Sequence, residues 1–176
     1  MNTFTEKTLV IIKPDGVGRS LVGEIISRFE RVGLKLVAME MRNATVEHVE
    51  AHYTLDSGWK MTTGSKTLAS YVEKGATPPH EDPIELANMI LGNLTTYMTE
   101  GPVIVMIWEG YHAVRIVRKL IGGTEPLTSD VGTIRGDFVI DSYQVSFAEG
   151  RSVKNLVHAS GSVQEAEDEI RHWFGK

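Results

Sequence analysis

The 176-residue chain contains no cysteine. That absence excludes a disulfide framework, a thiolate zinc site and a cysteine nucleophile together. Long apolar runs are missing too. The longest, Val103 to Trp108, falls far short of the roughly 20 residues needed to span a bilayer. The opening stretch, Met1 to Val10, has no basic start followed by an apolar segment. No signal peptide is therefore expected, and a cytoplasmic protein with no membrane association is the simplest reading. Nor is there an excess of positive charge: 18 Lys and Arg face 23 Asp and Glu, giving a formal net charge of −5. That balance speaks against a broad binder of phosphate backbones, so no nucleic acid is expected as a partner, although a local cationic pocket is compatible with it. With 41% hydrophobic and 23% charged residues, disorder and collagen-like structure are excluded.

What is present suits a single domain over residues 1–176, a length at which about 70% of the unfolded surface can be buried. Thr8 to Ile12 is a β-rich apolar run ending at the turn signal Lys13-Pro14-Asp15-Gly16. Leu21, Val22, Ile25, Ile26 and Phe29 fall at helical spacing, and Leu34 to Met41 reads as a second strand. Thr45 is placed to cap a short helix reaching Tyr53. Residues 56–82 are the least regular and suggest an inserted excursion with one short helix around Lys66 to Glu73. Asp82-Pro83 then opens a helix towards Tyr97. Pro102 to Glu109 reads as a buried strand, Tyr111 to Ile121 as an amphipathic helix and Gly122 to Gly136 as a long polar loop. Residues 138–157 read as strand-like, broken at Ala148-Glu149-Gly150. Ser162 to Glu165 forms a capping box for a last helix through Phe174. Without its insertions, the order is that of the ferredoxin-like split βαβ fold. This is an α/β (α+β) class with a four-stranded antiparallel sheet, and helices are expected on one face.

Of the six histidines, five fall on predicted helices or in the insertion, where packing or solvation accounts for them. His158 differs. It ends the run Asn155 to His158 and is followed by small residues before a helix N-terminus, where a polyanion can approach. Taken alone, it stays open between a packed side chain and a functional one. Lys13, Arg118 and Arg135 follow or flank the strands and together suggest a phosphate cradle. Neither GxxxxGK[ST] nor a GxGxxG after a strand is present, so side chains rather than a glycine loop must hold any nucleotide. Glu169, two turns into the last helix, is positioned to orient the His158 imidazole.

The strings Ile12 to Val17 (IKPDGV), Trp108 to Gly110 (WEG), Gly132 to Phe138 (GTIRGDF) and Asn155 to Ser160 (NLVHAS) resemble, in order, the signature segments of nucleoside diphosphate kinases. The resemblance covers most of the chain and is interrupted by insertions at about 57–92 and 141–153. It implies that His158 becomes transiently phosphorylated. Lys13, Arg118, Thr124 and Arg135 match positions that hold nucleotide phosphates, and Asn155 one that contacts the sugar. Tyr53 matches a tyrosine near the histidine, and Ser160 and Glu169 the pair that holds the imidazole. The resemblance further implies Mg²⁺ carried mainly by nucleotide phosphates with no metal ligand from the protein, nucleoside triphosphates (ATP, GTP) and diphosphates as substrates, ping-pong transfer, and a homo-oligomer, hexamer or tetramer. Two departures stand out. Gly161 replaces an aspartate, and the base-stacking aromatic falls at Ile90, with Trp59 in the insertion as a substitute.

Three functions are thereby set against one another. The first is an active nucleoside diphosphate kinase. The second, prompted by Gly161 and the missing aromatic, is a weakened nucleotide-binding or regulatory module on the same fold. The third, an RNA-binding module, would need aromatics on the sheet, where the strands are mostly aliphatic.

Overall fold

The computed structural model describes residues 4–73 and 75–175. Four strands, β1 (Thr5–Ile12), β2 (Lys35–Arg42), β3 (Val103–Tyr111) and β4 (Val157–Ala159), form one sheet in the order β2-β3-β1-β4. Every neighbouring pair is antiparallel. With helix α2 (Val22–Arg31) between β1 and β2 and α6 (Ala113–Ile121) after β3, this is the ferredoxin-like split βαβ arrangement expected from the sequence.

Helices cover both faces of the sheet, not one. Residues 9–12 of β1 and 103–108 of β3 are apolar at every position, so neither face can be left to water there. Val10 and Ile12 of β1, Met106 and Trp108 of β3 and Val157 of β4 pack against Ile25 and Phe29 of α2 and Val117 and Ile121 of α6. On the opposite face Leu9, Ile11, Val103 and Val105 pack against Val49 of α3 (Val46–Tyr53), Met98 of α5 (Pro83–Thr99) and Trp173 of α9 (Val163–Phe174). The alternation of β1 therefore assigns each side chain to one of two cores.

Helix starts follow their capping residues. Thr45 accepts from His48 N, Asp82 from Ile84 N and Ser162 from Glu165 N. Short α1 (Pro14–Gly18) begins at proline immediately after Lys13. Three expectations need correction. The insertion carries α4 (Trp59–Glu73), a helix of 15 residues rather than a short one from Lys66. Its Ser, Thr and Gly content conceals it, but the Gly has a packing reason: a Cβ on Gly64 would lie 1.8 Å from the Pro83 carbonyl oxygen. The polar loop after Gly122 contains a 3₁₀ turn (Pro126–Thr128) and the start of α7 (Ile134–Phe138). The region read as strand-like over 138–157 holds α7's last residue, α8 (Tyr143–Ala148) and irregular chain, and β4 begins only at Val157. Ser142 caps α8 by accepting from Val145 N, and Tyr143 stacks on Phe147 one turn later, which selects helix over strand.

Candidate active site

Strand β4 sets the position of His158. Its antiparallel register puts His158 opposite Ile11, on the face covered by α3 and α9. Just before it, fully buried Leu156 adopts a left-handed conformation (φ 65°). Such a conformation in a branched residue costs about 1–3 kcal/mol and persists only where neighbours over-determine it. Here they do: the Leu156 carbonyl accepts from Lys13 N at 2.7 Å and its N–H donates to Asp15 Oδ2 at 3.3 Å. The two signature segments are thus tied together through their backbones.

His158 Nε2 is 2.7 Å from Glu169 Oε1. Glu169 Oε2 accepts from Ser160 Oγ at 2.6 Å, and Ser160 Oγ in turn accepts from Leu9 N at 3.2 Å. Burial pushes the Glu169 carboxyl up, but the His158 charge and the hydrogen bonds from His158 and Ser160 outweigh it and bring the group to about 2. An ionised Glu169 accepts only, so Nε2 of His158 carries the proton and the Nδ1 lone pair is the nucleophilic one. Tyr53 lies edge-on to the His158 ring at 6.2 Å, and burial followed by the Glu169 charge pushes its phenol well above the ordinary range. Tyr53 therefore stays protonated.

The cations gather around Asn155, which is buried and bonded at every polar group. Lys13 Nζ donates to its Oδ1 at 2.8 Å, its Nδ2 donates to Thr124 O at 2.9 Å, its N donates to Tyr97 Oη at 3.1 Å and its O accepts from Arg135 Nε at 3.1 Å. Burial, and then the Arg135 charge, lower the Lys13 amine to about 7 despite the opposing pull of Asp15. Arg135, lowered by burial and Arg118 to about 10, remains charged. Among the described residues it has no carboxylate partner and donates instead to the carbonyls of Gly122, Gly123, Asn155 and Val157. Four of its five N–H groups are so used, leaving one and the charge for a ligand. Arg118 Nη1 reaches the Ala159 carbonyl at 3.5 Å. The pieces read from sequence thus converge: His158, Ser160 and Glu169 on one side, Lys13, Asn155, Thr124, Arg118 and Arg135 on the other. Ile90, half-buried on α5 and aliphatic, joins none of these polar or ring contacts, whereas half-buried Trp59 packs its ring 5.9 Å from that of Tyr53.

Several contributors escaped the sequence reading. Tyr97 Oη donates to Asp15 Oδ1 at 2.6 Å, joining the Lys13 turn to the Asn155 backbone. Asp15 stood in a motif, but Tyr97 could be found only through the fold. Asp141 accepts from Ser142 N, Lys154 N and both Arg151 Nη groups, so it closes the second insertion on itself directly before Asn155. Within that insertion the Tyr143 phenol is raised by burial and by Glu125, and Thr124 offers it a hydrogen bond. Phe147 meets Tyr71 of α4 at 5.2 Å, so the two insertions touch. Glu165 Oε2 accepts from Gly161 N at 2.7 Å, which puts a carboxylate beside the position where the resemblance lacks one.

His52, His158 and Glu169 lie close enough to resemble a metal-ligating trio. Their hydrogen bonding is of another kind. Trp173 Nε1 donates to His52 Nδ1 at 3.1 Å, so Nε2 of neutral His52 bears its proton and has no lone pair to offer an ion. The shallow hollow on α6 lined by His112, Arg115, Ile116 and Lys119 shares no residue with this cluster.

A histidine held by Glu169 on a short strand, with the buried cations Lys13 and Arg135 bonded to Asn155 three residues before it, is an arrangement suited to phosphoryl transfer. The nucleoside diphosphate kinase family model matches residues 6–76 and 85–176. The chain belongs to the nucleoside diphosphate kinase family. It is 51% identical to the nucleoside diphosphate kinase of Pyrobaculum aerophilum, over 96% of this chain and 94% of that protein. It is 39% identical to human nucleoside diphosphate kinase B, over 96% of this chain and 86% of the relative. Among solved structures, the P. aerophilum NDP kinase superposes with a TM-score of 0.92 at 50% identity, covering 97% of this chain and 96% of that one. A transition-state mimic of the Borrelia burgdorferi nucleoside-diphosphate kinase, with bound vanadate and ADP, superposes at 0.79 and 36% identity, covering 98% and 89%. This member of the family is an α+β phosphotransferase, and among its described residues no helix is long and apolar enough to cross a membrane.

Proposed function

We infer that this nucleoside diphosphate kinase carries the γ-phosphoryl group on His158 Nδ1, taking it from a nucleoside triphosphate and passing it to a diphosphate by a ping-pong route. The observation that carries this reading is the 2.7 Å contact of His158 Nε2 with an ionised Glu169, which assigns the ring proton of the neutral imidazole to Nε2 and the lone pair to Nδ1. Phosphoryl transfer asks a protein chiefly for positioning and for charge on the equatorial oxygens. Lys13, Arg118 and Arg135 supply that charge, Thr124 and Asn155 bind phosphate and sugar, and the Tyr53 hydroxyl stays protonated beside the reacting group. ADP in the Borrelia relative's structure supports a nucleotide as the ligand here.

Magnesium carried on the nucleotide would supply charge neutralisation at the distal phosphates. The nearby carboxylates are committed, Asp15 to Tyr97 and the Leu156 N–H and Glu169 to His158 and Ser160. Such a donor set suits an ion held mainly by phosphate oxygens and water. For the base we favour Trp59 over Ile90, because an aromatic ring offers a face for stacking. A cytoplasmic setting is part of this reading.

We also take the protein to be a homo-oligomer, a hexamer or tetramer. Strand β2 is a sheet edge, and Val37, Met39 and Met41 on it are 43%, 50% and 64% exposed. Leu127, Val131 and Ile140 are exposed as well. Unpaired apolar edges of this kind invite a partner strand.

Replacing His158 with Ala should abolish transfer between nucleotides while nucleotide binding persists. Retained transfer in that variant would exclude His158 as the carrier. The weakened binding-module alternative rests on Gly161 and on the aliphatic Ile90 at the aromatic position, and it predicts nucleotide binding without turnover in the unaltered protein.

A further inference from the structure

His52 is the unexplained residue of the site. It is 4% exposed, and its Nε2 is a buried side-chain nitrogen with no hydrogen-bond partner. An orphaned buried donor usually costs about 1–3 kcal/mol. The tautomer is settled from the other side of the ring: indole Nε1 of Trp173 donates only, so Nδ1 accepts and Nε2 holds the proton. Burial, and then repulsion from His158, hold the His52 pKa well below the ordinary histidine value, with His172 and His48 acting in the same direction and Glu169 opposing. The Nε2–H faces Glu169 Oε1 at 3.9 Å, too far for a hydrogen bond. That oxygen already takes His158 Nε2 at 2.7 Å, and the two imidazoles stand edge to face at 4.6 Å.

We propose that His52 is a positioning residue for phosphoryl transfer, donating Nε2–H to Glu169 Oε1 once His158 has become a phosphoimidazolium. The proposal rests on His158 as the phosphoryl carrier. In the forward step the Nδ1 lone pair of His158 forms the N–P bond, the bond from phosphorus to the bridging oxygen breaks, and its electron pair leaves on the diphosphate. The ring is left positive, with its Nε2 proton in place. Glu169 balances that charge, and it could also take the proton. Were it to do so, the return step would expel an imidazolate, a poor leaving group. A carboxylate oxygen has two lone pairs, and one of those on Oε1 is free. A second donor there makes Oε1 less basic, so the proton stays on His158 and neutral imidazole departs when the diphosphate attacks phosphorus. Closure needs His52 and Glu169 to approach by only about 1 Å, to ordinary hydrogen-bond length. His52 thus forms the middle of a chain from Trp173 through Glu169 to His158.

The test compares His52→Phe, which removes the N–H and keeps a flat ring, with His52→Gln, whose amide nitrogen stands near the lost Nε2. His52→Phe is expected to lower kcat about tenfold, the effect of losing one hydrogen bond to a charged group, with nucleotide KM unchanged. The alkaline limb of single-turnover transfer from phosphoenzyme to diphosphate should move to higher pH, because a more basic Oε1 holds the proton shared with His158 more tightly. His52→Gln should restore both. A His52→Phe enzyme with unaltered kcat and pH profile, a change confined to KM, or no rescue by Gln would overturn the proposal. Because loss of the Trp173 acceptor could prevent folding of the Phe variant, ¹⁵N NMR of the unaltered protein provides a second measurement. It should find His52 protonated at Nε2 and bare at Nδ1 through the range in which an ordinary histidine titrates, with the Nε2 resonance shifting on phosphorylation. The opposite tautomer, or an Nε2 resonance indifferent to phosphorylation, would also overturn it. If His158 is not the carrier, the failure is distinct: His158→Ala retains transfer whatever happens at position 52.

Discussion

A lysine amine shut away from water beside a guanidinium gives up its proton near neutrality, and Lys13 is so placed, brought from 10.5 to about 7 by burial and by Arg135. In the unfolded chain the amine keeps its proton to much higher pH. Its contribution to stability therefore rises with pH between about 7 and 10.5, and protonating it within the fold is the costly state. An anionic polyphosphate reverses that preference. Nucleotide binding at pH 8 should accordingly take up a fraction of a proton, read by calorimetry as a heat that varies with the ionisation enthalpy of the buffer. A buffer-independent heat would mean that Lys13 is already charged in the free protein. Lys13, Arg135, His158, Ser160 and Glu169 were legible in the sequence because each sits in a contiguous motif or at helical spacing from one. His52, Tyr97 and Trp173 were not. Their significance lies in hydrogen bonds across large sequence separations, such as Trp173 to His52, which no local pattern encodes.

Among the elements, those with apolar periodicity and a capping residue were foreseen closely: β1, α2, β2, α3, β3 and α9 all lie where the pattern put them. The misreadings share a cause. Helix α4 is rich in Ser, Thr and Gly because it is a half-exposed helix pressed against α5, and α8 was mistaken for strand because its apolar residues serve a local ring stack. The one-face expectation failed because continuous apolar strands leave no face for water. The α4–α5 contact can be tested. Gly64→Ala should destabilise the protein by about 1–3 kcal/mol, since its Cβ has nowhere to go without parting the helices. Gly92→Ala, in the exposed middle of α5 with open space around it, should stabilise by about 0.5–1 kcal/mol. Chemical denaturation of the two variants measures both, and equal midpoints would contradict the packing argument.

At the scale of the whole molecule, α4 and α8 meet through Tyr71 and Phe147, outside the sheet that places His158. The contact between these two segments required the fold. The β2 edge with its exposed Val37, Met39 and Met41 predicts self-association. Light scattering at micromolar concentration should return a mass several times 19.5 kDa, and a monomer would contradict that prediction. The central claim concerns one bond, between phosphorus and His158 Nδ1. The direct measurement incubates the protein with magnesium and γ-labelled ATP without an acceptor, locates the label, and then adds GDP. Acid-labile, base-stable label on His158 that moves to GDP is the result expected. ATP binding with no label on His158, or label there that GDP cannot collect, would contradict the account.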